Sequence, residues 1–232
     1  PVGQYLRYST VFDEQANLRV LALAAALAAS KPDGVREIYP GYGSVYVEWD
    51  DATLSNEKAK AWIDVALDAD DEALRDPAEI TVPVRYGGLD TDDVAEATGL
   101  SADEIARRHA EVEYRVCARA TVGQPMMGVT DERLRVPRRP SPRTDVPALA
   151  VAIANEQATI YPALMPGGWN VIGTALVNVY DPHRDEPFAF GLGDRVRFEP
   201  KDGEPPEPPH RRPLLPAEPR HPALRVEETG AL

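Results

Sequence analysis

The stretch from Pro137 to Trp169, PRRPSPRTDVPALAVAIANEQATIYPALMPGGW, restricts what this chain can fold into more than any other. Arginine–proline steps open it, a strand-like apolar run follows, and a Pro-Gly-Gly-Trp turn closes it. Proline fixes φ and removes an amide donor, so Arg138, Arg139 and Arg143 are presented from a stiff backbone. Their planar guanidiniums suit carboxylates and other planar anions. Gly167 and Gly168 permit a tight turn and close approach by a ligand or a neighbouring chain.

The remainder of the chain bounds what such a segment can serve. At 232 residues there is room for one large domain or two small ones. With 43% hydrophobic and 27% charged residues, most of it is expected to fold as a soluble globular protein. A net charge of −13 argues against a general binder of nucleic acid or anionic membrane, leaving only a local basic patch around Arg133–Arg143. Cys117 is the single cysteine, so no disulfide framework or thiolate zinc site is expected, and the cytoplasm is the expected compartment. The apolar run Val20–Ala29 is too short to span a bilayer. His109, His183, His210 and His221 are scattered without metal-ligand spacing, so no metal is expected, and no lysine-bearing glycine loop argues for a nucleotide.

Periodicity divides the chain into three regions. Gln4–Phe12 reads as a strand, Asn17–Ala29 as a helix, and Val35–Pro40 and Ser44–Trp49 as strands joined across Gly41-Tyr42-Gly43. A helix capped at Ser55 or Asn56 runs to about residue 69, and Glu79–Arg85 is a further strand. This β-α-β-β-α-β order predicts a ferredoxin-like α+β domain over residues 1–86. After Gly87-Gly88, Thr91–Thr98 is a short helix, and Ser101 with Glu104 forms a capping box that opens another. The string DVAEATGLSADEIARRH imitates a helix-turn-helix DNA reader, but Asp103 and Glu104 stand where a reader needs basic or amide side chains. From Glu113 to residue 200, short strands separated by Gly, Pro and Asp clusters predict a β-barrel. Lys201–Leu232, with eight prolines in thirty-two residues, reads as an extended tail.

PRRPSPRTDVP, VAIANEQATIYP and PGGWNVIG together resemble the family of 5-oxoprolinase B-type subunits. That family includes the sporulation-kinase inhibitor KipI and the C/D half of the carboxyltransferase domain of urea carboxylase, and was formerly described as allophanate hydrolase subunit 1. The resemblance implies that the barrel over residues 87–200 is cyclophilin-like. It also implies an obligate heterodimer or heterotetramer with a subunit-C-like chain. The tail ALRVEETGAL resembles the opening strand of that partner, which leads to the expectation of a fused precursor processed after Leu232. Departures from the family pattern surround the arginines: Ala120–Gly128 lacks the family's aromatics, Thr159 stands for a glycine, and Thr174-Ala175 lack an arginine.

The resemblance implies hydrolysis of a small carboxylated amide or lactam, with ATP used by a partner subunit and no cofactor held by this chain. Arg138, Arg139 and Arg143 would then hold a carboxylate, unless they serve as surface ion pairs. Gln157 could polarise a carbonyl or satisfy a strand end, and His109 could do acid–base work or be a buried structural histidine. Tyr161, Gly167, Gly168 and Trp169 complete the expected substrate-binding set, with Trp169 read more readily as a packing plug than as a substrate stacker. Competing readings are a biotin-dependent carboxyltransferase subunit, a KipI-like regulator without turnover, and an enzyme repurposed for specialised metabolism.

Overall fold

The computed structural model describes residues 2–67, 76–120 and 123–207. The N-terminal unit holds β1 (Val2–Arg7), α1 (Glu14–Ala29), β2 (Val35–Pro40), β3 (Ser44–Trp49) and α2 (Asn56–Leu67). Its sheet runs β1-β3-β2, with β3 antiparallel to both neighbours, which is a split β-α-β arrangement. Asp13 caps α1 by accepting from the Ala16 amide at 2.6 Å. Val20, Leu23 and Leu27 of α1 then pack on Val45, Val47 and Trp49 of β3, with Ile63 of α2 completing this core.

The fourth strand expected of a ferredoxin-like unit lies elsewhere. Glu79–Tyr86 forms β4, and α3 (Thr91–Thr98), α4 (Ala102–Glu111), β5 (Glu113–Arg119), β6 (Pro125–Gly128) and β7 (Arg143–Val146) follow. Then come β8 (Ala150–Ala154), β9 (Gln157–Ile160), β10 (Met165–Gly167), β11 (Asn170–Ala175) and β12 (Arg195–Pro200). β4 pairs antiparallel with β11 and parallel with β12, inside a closed seven-stranded barrel of order β11-β4-β12-β5-β6-β9-β8. The N-terminal sheet therefore has three strands among the described residues, not four. Alternation of Ile80, Val82 and Val84 specifies a strand with one buried face but cannot specify which sheet receives it. Val82 and Val84 are wholly buried in the barrel core with Val116, Met127, Ile160, Ile172 and Val196.

β8 is buried on both faces, which is why it reads as an unbroken apolar run. Val151 and Ile153 point into the barrel core. Ala150, Ala152 and Ala154 face a second cluster with Val146, Tyr161 and Trp169. β7 and β10 form a separate two-stranded ribbon beside that cluster. The capping box is present in both directions: the Glu104 amide donates to Ser101 Oγ at 3.2 Å, and the Ser101 amide donates to the Glu104 carboxylate at 3.0 Å. α4 lies along β12 and buries Ile105 and His109. Lys201 donates its amide to the Val84 carbonyl and Arg85 pairs with Glu204, while the tail from residue 208 onward lies outside the described residues.

A buried asparagine joins the two units. Asn17 is fully buried, and its Nδ2 reaches the carbonyls of Tyr42 at 3.0 Å, Cys117 at 3.0 Å and Gly41 at 3.4 Å. Helix α1, the β2–β3 hairpin and barrel strand β5 thus meet at one amide. Phe12 fills the adjacent gap, and any Cβ at Gly128 would stand 2.5 Å from its ring. Removing the amide strands backbone acceptors in a dry interface. Asn17→Ala is expected to lower the unfolding free energy by about 1–3 kcal/mol in a denaturant titration.

Candidate functional site

The arginine–proline segment is pinned before its side chains act. Asn170 Nδ2 donates to the Pro137 carbonyl at 2.9 Å and to the Ile153 carbonyl at 3.2 Å. The Arg139 amide donates to the Gly168 carbonyl at 2.8 Å, which lays the segment against the Pro-Gly-Gly-Trp turn. From this fixed backbone the three guanidiniums part company.

Arg139 and Arg143 converge on Asp90, whose side chain is wholly buried. Arg143 makes a two-pronged contact, Nη1 to Oδ2 at 2.8 Å and Nη2 to Oδ1 at 2.5 Å. Arg139 Nη1 adds a bond to Oδ1 at 2.5 Å and another to Asp93 at 2.8 Å. The Val171 amide donates to Asp90 Oδ2 at 2.8 Å, and the Asp90 amide donates to the Val171 carbonyl. The Asp90 carboxylate in turn holds the Arg143 guanidinium even more firmly in its charged form than usual. These two arginines therefore complete an internal anion site, with the carboxylate supplied by the chain itself.

Arg138 goes the other way. It has no carboxylate partner among the described residues and lines a pocket of about 340 Å³ with Gln157, Tyr161, Gly167, Gly168 and Trp169. The structure thus brings together six of the nine residues that the sequence nominates. Tyr42, from the tip of the β2–β3 hairpin, and Met126 are among the other residues of its walls. Gly167 must be glycine because a Cβ there would stand 2.2 Å from the Tyr161 hydroxyl. Burial raises the Tyr161 hydroxyl above its ordinary range, against a lowering by the Trp169 backbone and by the Arg138 and Arg143 guanidiniums. Burial likewise raises the Tyr42 hydroxyl, and the neighbouring Gln157 side chain opposes that shift. Although they are neighbours, neither the Tyr42 hydroxyl nor Gln157 Nε2 closes a hydrogen bond of proper geometry within the described protein.

His109 stands apart from this pocket. It is buried beneath α4, with its Nδ1 2.8 Å from the Tyr86 hydroxyl and its ring 4.4 Å from that of Phe198. Burial pushes its imidazole down to about 3. Cys117 is similarly enclosed, its thiol pushed up to about 11, which leaves little thiolate near neutrality. No group of three or more His, Cys, Asp or Glu is placed to hold a metal among the described residues. No helix there is long and apolar enough to cross a membrane.

Two site residues escape the sequence reading. Asp90 sits in Gly-Leu-Asp-Thr-Asp-Asp, where it reads as one more acidic residue at a helix start. Its signal is indirect: an Arg-Pro segment in so acidic a chain needs carboxylates, and this is a dense cluster of them. Tyr42 reads as a hairpin residue, and the signal is an aromatic between two glycines where a polar turn residue is usual.

A family model described as carboxyltransferase domain, subdomain C and D, matches residues 3–190, and the chain belongs to that family. The B-type subunit of 5-oxoprolinase from Escherichia coli O157:H7 is 42% identical over 126 residues, covering 53% of this chain and 58% of that protein. Its counterpart in Bacillus subtilis (strain 168) is 31% identical over 209 residues, covering 83% of this chain and 87% of that protein. Among solved structures, TTHA0988 superposes with a TM-score of 0.84 at 42% identity, covering 95% of this chain and 44% of its own. The urea carboxylase of Kluyveromyces lactis is 18% identical with a TM-score of 0.67, covering 86% of this chain and 21% of that one, a likeness of fold alone.

Two outcomes check this assignment of residues. Asp90→Asn leaves two arginines facing a neutral amide, and is expected to cost about 3–5 kcal/mol of stability by denaturant unfolding. For His109 the unfolded chain binds a proton below pH 6.5 that the folded chain excludes down to about 3. The associated stability is complete above pH 6.5 and is lost progressively as pH falls through that window. Between pH 7 and 5, wild type is expected to lose about 2 kcal/mol more than His109→Gln.

Proposed function

We propose that this chain is the B-type subunit of a heteromeric 5-oxoprolinase-like enzyme that opens a small carboxylated lactam. The observation that carries this reading is a pocket uniting Arg138, which has no carboxylate partner among the described residues, with Gln157 and a glycine turn, in a family member 42% identical, over part of its length, to the B-type subunit of a 5-oxoprolinase. Its volume suits a single small ring. Arg138 takes the substrate carboxylate, and Gln157 Nε2 donates to the lactam carbonyl, where negative charge builds as the amide bond breaks. Arg139 and Arg143 act indirectly by fixing the backbone that carries Arg138. His109 takes no part in proton transfer, since it lies outside the pocket.

The barrel is read as the cyclophilin-like domain of this family, and a subunit-C-like chain is the proposed partner, completing a shared site. ATP, where it couples to ring opening, belongs to a partner chain. Biotin would enter only under carboxyl transfer, which the fold-level likeness to urea carboxylase does not by itself favour.

Reconstitution of the purified chain with its partner chains tests the proposal. ATP-dependent ring opening of 5-oxoproline is expected, and Gln157→Ala is expected to lower kcat about 100-fold with little change in stability. Turnover that survives this substitution unchanged would remove Gln157 from the mechanism. An assembled complex without any ring-opening activity would overturn the proposal.

A further inference from the structure

The pocket that Arg138 lines also holds a buried side-chain amide to which no role has been given. Gln124, immediately before β6, is 7% exposed and forms part of the pocket wall. Its backbone is held on both sides. The Ala120 amide donates to the Gln124 carbonyl at 2.8 Å, and the Gly123 amide donates to the Ala120 carbonyl at 3.1 Å. Gly123 has a φ of 75° and lies so close to Phe188 that a Cβ would run into the ring. On the other side, Pro125 disfavours helical backbone at Gln124, and the buried Thr159 hydroxyl donates to the Pro125 carbonyl at 2.6 Å.

The Gln124 side-chain amide has no hydrogen-bond partner among the described residues, yet it is not sealed. Its atoms keep surface on the pocket, unlike the Tyr42 hydroxyl, which is closed against Gln157. A planar amide on a fixed backbone, more than nine-tenths buried and without a partner, marks a place where a ligand supplies the missing bond. Other side chains of the wall that could accept stand elsewhere. Asn155 is exposed at the tip of the β8–β9 hairpin, with a φ of 53°. The Tyr161 hydroxyl lies against Gly167, near the Trp169 backbone and the Arg138 guanidinium. No Asp or Glu is among the described residues that line the pocket.

We propose that Gln124 is a specificity-determining residue of this pocket: its side-chain oxygen accepts from the ring N–H of a bound lactam. This rests on reading the pocket as a carboxylated-lactam site, in which Arg138 takes the carboxylate and Gln157 the carbonyl, leaving the N–H in need of an acceptor. A neutral acceptor suits that place, since a carboxylate there would repel the one on the ligand. An amide can turn either its oxygen or its nitrogen toward a ligand, and an N–H selects the oxygen. A lactone of the same size and charge keeps the carbonyl and carboxylate but lacks the N–H, so Gln124 is the group that tells the two apart.

Calorimetric titration of the full chain with 5-oxoproline and with its lactone counterpart, 5-oxotetrahydrofuran-2-carboxylate, tests this. Wild type is expected to bind the lactam about tenfold more tightly than the lactone. Gln124→Met keeps the length of the side chain and removes the amide. It should erase the preference by weakening the lactam alone, with unfolding free energy unchanged or raised because an unpartnered polar group is removed. Asn155→Gly tolerates the left-handed backbone at that position and should keep the preference. Retention of the preference in a folded Gln124→Met protein would overturn the role of Gln124 while leaving the lactam site standing. So would its loss in Asn155→Gly, an outcome that decides the matter even where Gln124→Met folds poorly. Equal binding of the two ligands by wild type removes the inference alone. Binding of neither ligand by wild type would overturn the lactam reading and this inference together.

Discussion

Asp90 is the constraint on which the rest of the structure depends. Its buried carboxylate receives bonds from two arginines and from the Val171 amide, so a loop after β4, an extended proline-rich segment and barrel strand β11 meet at one pair of oxygens. A charge so enclosed is tolerable only because every direction is matched by a donor, two of them cationic. Once matched, it becomes a rigid node. The Arg-Pro segment cannot slide without breaking a two-pronged contact, and with it the Gly168 turn is held by the Arg139 amide.

That rigidity is what gives Arg138 a fixed position. Neighbouring guanidiniums on a flexible loop would exchange partners, and a ligand carboxylate would compete with Asp90 for all of them. Here two arginines are committed to an internal anion and the third faces the pocket. A second node, the Asn17 amide, does the corresponding work for the opposite wall by fixing the hairpin that carries Tyr42. The pocket is thus framed by two buried polar contacts that never touch its contents. Preorganisation of this kind lowers the ordering cost of binding a small polar molecule.

Much of this is legible from residues alone, and the misses have physical reasons. β2 and β3 have the bounds that alternation predicts, and the Ser101–Glu104 capping box forms as its spacing requires. Strands β6, β7 and β10 escape a reading by pattern because three- and four-residue elements carry too little alternation to rise above loop composition. β4 reads correctly as a strand but joins a different sheet from the one expected, since a buried face of Val82 and Val84 fits either core. Within the site, the arginines announce themselves through flanking prolines, but the anion that absorbs two of them lies about fifty residues earlier in the chain, beyond the reach of local pattern. Tyr42 joins the pocket only through the packing of one unit on the other, which no local spacing encodes.

The division of labour among the arginines is the central claim, and a crystal structure of the chain with bound 5-oxoproline tests it most directly. The account predicts the ligand carboxylate on the Arg138 guanidinium, the lactam edge against Gln157, and Arg139 and Arg143 still on Asp90. A carboxylate seated on Arg143, with Asp90 displaced from it, would contradict the account.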